Sequence, residues 1–189
     1  MEALTAEADT QAAEKVFSIK GTAMAREATG LGIRIPGISF SGNAVVTLKI
    51  SSIHPDVIAP EYESTGAAGM DLRAFLDKDI SISPLGRVKI PTGLRIEIPA
   101  GYEGQVRPRS GLAYKFGITV LNSPGTIDSD YRGDLDVILV NLGEQTYTVK
   151  NGDRIAQLVI APAIRADVLQ AAELSATERG GGGFGSTGI

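Results

Sequence analysis

Two stretches of the chain combine charge, hydroxyls and glycine in ways that packing does not require: "RPRSGLA" at 107–113 and "NSPGTIDSDYRGDLDV" at 122–137. In the first, Arg109, Ser110 and Gly111 either present a guanidinium, a hydroxyl and a backbone N–H to one anion, or form an ordinary polar turn. In the second, Ser123-Pro124-Gly125-Thr126 fits a type II turn, with proline second and glycine where φ must be positive. Asp128, Asp130, Asp134 and Asp136 then crowd what reads as one hairpin. Such clustered carboxylates either face solvent or meet a cation. An EF-hand is excluded, because the fifth position from Asp128 is Arg132 and the twelfth is Leu139, where that loop needs a ligand and a bidentate glutamate. A magnesium ion carried in by a substrate is compatible with the cluster.

Three further stretches carry weaker signals. Asp71 in "GAAGMDLRA" opens an apparent strand and reads as a turn or ion-pair residue more readily than as a ligand. Gln157 interrupts the otherwise apolar strand of "NGDRIAQLVI", whereas Asp153 and Arg154 read as structural. The segment "RGGGGFGSTGI" at 179–189 matches G-x-G-x-x-G through Gly180, Gly182 and Gly185. That fingerprint needs a strand before it and a helix after it, and neither is readable here, nor is a Walker-type lysine. By composition alone this segment is a linker.

The composition narrows the chemistry further. The 189 residues suit one β domain plus extensions. With no cysteine and one histidine, disulfides, thiolate zinc sites, cysteine nucleophiles and multi-histidine sites drop out. His54 precedes Pro55 in an expected turn and reads as structural or solvent-facing. The net charge of −4 argues against a nucleic-acid or anionic-membrane surface. No secretory signal or membrane-length apolar run is visible, and the early Glu2, Glu7, Asp9 and Glu14 disfavour an organellar transit peptide. A cytoplasmic protein is the expectation.

The elements that must position these residues read as short strands. Residues 1–43 form an extension of unassigned role, with a short helix in "TAEADTQAAEKVF" compatible with its alanines. From residue 44, "VVTLKI", "GLRIEIP", "FGITVL", "LDVILVNL", "TYTV" and "RIAQLVIAP" are β-rich runs. Prolines punctuate them and leave little room for helix, except for a turn or two in "DVLQAAELSATE" at 167–178. The expectation is an all-β jelly roll or barrel-like domain over 44–173, followed by a glycine-rich arm over 174–189.

Taken in order, "AAGMDLRA", "RPRSGLA", "GTIDSDYRG", "GDRIAQL" and "RGGGGFGSTG" resemble the five motifs of the trimeric deoxyuridine triphosphate nucleotidohydrolases, the dUTPases, over residues 67–188. The resemblance implies a jelly-roll homotrimer with three active sites at subunit boundaries. Motifs one, two and four would come from one subunit, the third from a second and the arm from a third. It implies magnesium-dependent hydrolysis of dUTP to dUMP and pyrophosphate, which keeps uracil out of DNA and supplies dUMP. Asp128 then corresponds to the base that activates water, a role suited to an aspartate in a chain without cysteine and with one unsuited histidine. Tyr131 corresponds to the residue beneath the deoxyribose. Asn122 and the backbone of Gly125, Thr126 and Ile127 correspond to the uracil reader, with Asp136 near the same pocket.

The resemblance further makes Arg109, Ser110, Gly111 and Gln157 the phosphate cradle. Asp71 becomes the group holding magnesium-bound waters. In the arm, Arg179, Gly185, Ser186 and Thr187 would meet the phosphates, and Phe184 would stack on the uracil. No nucleic-acid or membrane partner is implied. Two other readings compete: a dCTP deaminase, which shares the fold, and a catalytically silent jelly roll that binds nucleotide or a protein. The intact "GTIDSDYRG", with both Asp128 and Tyr131, favours the hydrolase.

Overall fold

A computed structural model describes residues 46–183. In chain order these form β1 (Lys49–Ser52), β2 (Met70–Arg73), β3 (Ile80–Ile82), β4 (Arg87–Glu97), β5 (Tyr102–Arg107), α1 (Ser110–Phe116), β6 (Ile118–Val120), β7 (Gly125–Ile127), β8 (Leu135–Asn141), β9 (Tyr147–Val149) and β10 (Arg154–Pro162). Two antiparallel sheets have the orders β1-β4-β8-β6 and β2-β10-β5-β7, and β3 pairs with β9 in a separate ribbon. Each sheet runs between two edge strands, so among the described residues neither closes into a barrel.

The strands form because their apolar residues alternate into a shared interior. Along β8, Leu135, Val137 and Leu139 are buried while Asp136 and Ile138 between them are half-buried. Their partners in one apolar cluster include Ile90 of β4, Leu72 and Leu158 of the second sheet, and Ile82 and Val149 of the ribbon. Sheets and ribbon thus share one core, the double-layered all-β architecture expected of a jelly roll.

β4 carries a proline in its interior, which a regular ladder would not tolerate. The register explains it. Pro91 lies opposite Asp136 but Leu94 opposite Leu135, so Thr92 and Gly93 form a bulge. The carbonyls of Pro91 and Gly93 turn away from β8 to accept from the Phe75 and Ile53 N–H groups. Gly93 has φ 70°, and a Cβ there would stand 2.6 Å from Cγ2 of Val57 and 3.2 Å from the Phe75 ring. Gly93→Ala is therefore expected to cost about 2–3 kcal/mol. The check is a lower urea midpoint at unchanged m.

Several expectations are corrected. Residues 110–116 of "RPRSGLA" and beyond are a helix, not a turn, held on the core by Leu112 and closed by Gly117 at φ 68°. Residues 167–178 contain no helix, because an exposed stretch with no apolar face against the body gains nothing from the helical period. The Ser123–Pro124 bond is cis and Gly125 begins β7, pairing with Val106, so no type II turn forms there. Space at 125 is tight instead: a Cβ would stand 3.0 Å from Nδ2 of Asn122, whose exposed side chain would have to shift. The strand "VVTLKI" is shorter than expected, starting at Lys49, with Leu48 and Ile50 packed against the core.

The third-motif hairpin is also corrected. β7 pairs with β5 in the second sheet, whereas β8 pairs with β4 and β6 in the first. Residues 128–134 form an arch between layers rather than a turn between hydrogen-bonded neighbours. Pairing with β4 and β6 places β8 in the other sheet, where Leu135 and Val137 are essentially fully buried.

Candidate active site

The arch opens a cleft of about 310 Å³ lined by Lys89, Thr126, Ile127, Asp128, Tyr131, Asp134, Asp136 and Ile138. Because β7 is the edge of its sheet, its outer backbone groups have no strand partner among the described residues, and its Thr126 and Ile127 line the cleft. Such backbone groups suit a planar ligand that carries its own donors and acceptors. The arch braces itself. The Tyr131 hydroxyl donates to the Asp134 carbonyl at 2.9 Å, and the Tyr131 N–H donates to the Asp128 carbonyl at 3.1 Å. Arg132 Nη1 donates to the carbonyls of Ser129 and Tyr131, each at 2.8 Å. Asp128 therefore stands at the mouth of a preorganised loop.

The carboxylates there differ in company. Asp134 pairs with Arg95 at 2.7 Å and Asp136 with Lys89 at 2.6 Å, both cations rising from β4. Among the described residues Asp128 makes no ion pair, which leaves its oxygens free to accept a proton. The hydrogen bond and charge of Asp136 hold the Lys89 ammonium above the usual lysine range. A raised lysine pKa keeps the ammonium charged through neutrality, and the stability that this shift contributes is fully present below the ordinary lysine pKa and lost as pH rises through the raised value.

A second cluster gathers motif residues at the other side of the β2-β10-β5-β7 sheet. Asp71 on β2 lies opposite Gln157 on β10, and Gln157 lies opposite Arg107 at the end of β5. Arg109 Nε reaches Asp71 Oδ1 at 3.0 Å, and Arg154 Nη1 reaches Asp71 Oδ2 at 3.2 Å. Gln157 Nε2 donates to the Pro108 carbonyl at 2.9 Å, which ties β10 to the segment that carries Arg109. Ser110 and Gly111 are exposed at the start of α1. A cation at one end and unpaired hydroxyl and amide donors beside it can hold an anion.

The two clusters share no lining residue. Asn122 is exposed beside Gly125 and does not line the cleft. Arg179 Nε donates to the Gly182 carbonyl at 2.8 Å, within its own segment. Phe184, Gly185, Ser186 and Thr187 lie outside the described residues, as do residues 1–43. Sequence reasoning missed Lys89 and Arg95, and took Arg154 as merely structural. Nothing local marks any of them, because cross-strand register alone brings them to the carboxylates.

Among the described residues no group of three or more histidine, cysteine or carboxylate side chains converges to hold a metal. Magnesium needs no such cage, since it binds through one or two carboxylates and substrate phosphates while keeping several waters. Asp71 fits that role. Oδ2 accepts a hydrogen bond from Arg154 and Oδ1 is ion-paired with Arg109, yet a carboxylate offers about four acceptor sites, so capacity remains for metal-bound waters.

The family model described as dUTPase matches residues 56–188. The deoxyuridine 5'-triphosphate nucleotidohydrolase of Rhizobium etli is 61% identical over 132 residues, covering 69% of this chain and 85% of that protein. The enzyme of the same name from Treponema denticola is 63% identical over 132 residues, covering 70% and 92%. Among solved structures, the dUTPase of Staphylococcus bacteriophage 80alpha with dUPNHPP superposes with a TM-score of 0.70 at 28% identity, covering 76% of this chain and 99% of that one. A mutant dUTPase from phage phi11 of S. aureus, described with a structural Mg(II) ion, gives 0.61 at 25% identity, covering 67% and 97%.

Proposed function

This chain belongs to the dUTPase family and hydrolyses dUTP, and from that premise we propose that Asp128 is the base for water attack on the α-phosphorus. The single observation that carries the assignment is the arch itself. It holds Asp128 and Tyr131 together in one braced cleft and leaves Asp128 without a cation among the described residues. Asp128 takes a proton from water as the new O–P bond forms. The bond from the α-phosphorus to the bridging oxygen breaks, and pyrophosphate departs in line, leaving dUMP.

Base selectivity follows from the cleft's walls. Uracil meets the unpaired backbone edge of β7 at Gly125, Thr126 and Ile127, with Asn122 closing the adjoining turn. Cytosine reverses a donor and an acceptor and leaves buried groups unmade, at about 1–3 kcal/mol each. Tyr131 lies under the sugar, where a ribose hydroxyl has no room or partner. Arg109, Ser110, Gly111 and Gln157 bind the phosphates. Asp71 would hold the waters of a magnesium ion, which would supply charge neutralisation to the triphosphate.

We further propose a homotrimer with shared sites. The phosphate cluster and the base cleft have no residue in common, so one subunit's cluster completes another's cleft. From Ile164 to Gly183 the chain is exposed apart from a half-buried Gly182, and its hydrogen bonds are local. Ile164, Val168, Leu169 and Leu174 are each about nine-tenths exposed. An extended apolar segment of this kind is suited to lie on a neighbouring subunit and carry Arg179 and the arm to its site.

The test is pyrophosphate release with and without magnesium, compared across dUTP, dTTP, dCTP and UTP. Release is expected from dUTP alone, and to stop on chelation. Ammonia from dCTP would identify a deaminase instead, and equal rates on all four nucleotides would overturn the uracil-reading cleft.

A further inference from the structure

The acidic arch poses an electrostatic problem that its own residues do not solve. A polyanionic nucleotide must enter a cleft whose wall carries Asp128, Asp134 and Asp136. Both counter-cations come from outside the arch, from β4. The two pairs are unequal: Arg95 and Asp134 are both more than half exposed, whereas Asp136 is 17% exposed beneath Lys89. The exposed pair is screened by solvent and contributes little. The enclosed carboxylate would keep most of its field if left alone.

Register accounts for the Lys89 contact. Lys89 stands opposite Ile138 and Pro91 opposite Asp136, so Lys89 reaches Asp136 on the diagonal. It does so immediately before the bulge interrupts the ladder between Pro91 and Leu94. The ammonium therefore cancels a charge and also ties β8 to β4 where backbone pairing is about to lapse.

We propose that Lys89 is a positioning residue for the nucleotide: by neutralising Asp136 it makes the β8 wall of the cleft tolerant of a polyanion. The proposal rests on the dUTP-hydrolysing reading above and adds a residue outside the motif segments. It predicts a specific kinetic split. In Lys89→Met, one unpaired carboxylate repels the incoming polyanion; at an effective dielectric near 20 a single pair of like charges about 12 Å apart corresponds to a KM for dUTP raised about 10-fold. Because Asp128 and Tyr131 are untouched, kcat stays within about threefold of the unmutated chain.

The test uses the full chain with steady-state pyrophosphate release, and thermal melting to verify folding. Lys89→Arg keeps the charge and should keep KM low. The double variant Lys89→Met with Asp136→Asn should have a lower KM than Lys89→Met alone, since the orphaned charge is gone. Raised salt should shrink the Lys89→Met defect. An unchanged KM in Lys89→Met overturns the proposal. So does a double variant no better than the single one, which would assign Lys89 to packing alone. Failure of the unmutated chain on dUTP would instead strike the functional reading beneath it.

Discussion

Asp128→Asn is expected to lower kcat for dUTP by about 10³-fold, within the range a positioned general base contributes. The substitution keeps the shape of the side chain and removes its capacity to take a proton. The arch should survive, since the bonds that brace it run through the Asp128 carbonyl, Tyr131 and Arg132 rather than the Asp128 carboxylate. Nucleotide affinity should hold or improve, because one negative charge facing the phosphates disappears. Calorimetry with a non-hydrolysable dUTP analogue separates the effects: binding retained with turnover lost supports the base. A variant that still releases pyrophosphate at near-original rates would remove Asp128 from that role.

Truncation after Glu178 carries the other large effect. It deletes Arg179, Phe184, Ser186 and Thr187, which we assign to the γ-phosphate and the uracil face. Losing a charge-assisted contact together with a stacking ring should reduce kcat/KM at least about 100-fold. The assembly should remain, because the apolar Ile164, Val168, Leu169 and Leu174 are all retained. Light scattering beside turnover decides the matter. An intact trimer with little activity marks an arm that completes the site. Dissociation would mean that these last residues hold the subunits together.

The sequence revealed most where a pattern was local. The alternation in "LDVILVNL" corresponds to β8, and "RIAQLVIAP" corresponds closely to β10. It failed where partners are distant. Residues 110–116 lack a helical apolar stripe and bury only Leu112, so neighbouring strands rather than periodicity decide that helix. Nothing between Gly125 and Leu135 tells whether the flanking strands pair with each other. The answer lies in β5 and β4, which claim them separately. Likewise the motif residues were visible by type, but their division into two clusters was not, and Lys89 drew no notice as one exposed lysine in a strand.

The arch between layers has one more consequence. The cleft draws its lining from β7 of one sheet and from β4 and β8 of the other, and both sheets pack on one shared core. On the proposed reading of this cleft, nucleobase discrimination is thus coupled to the interior. Trimming Val137 or Leu158, neither of which lines the cleft, is expected to change the relative rates on dUTP and dTTP. On that reading the fidelity of substrate choice and the tightness of the fold are linked, so a change in the core is also a change in selectivity.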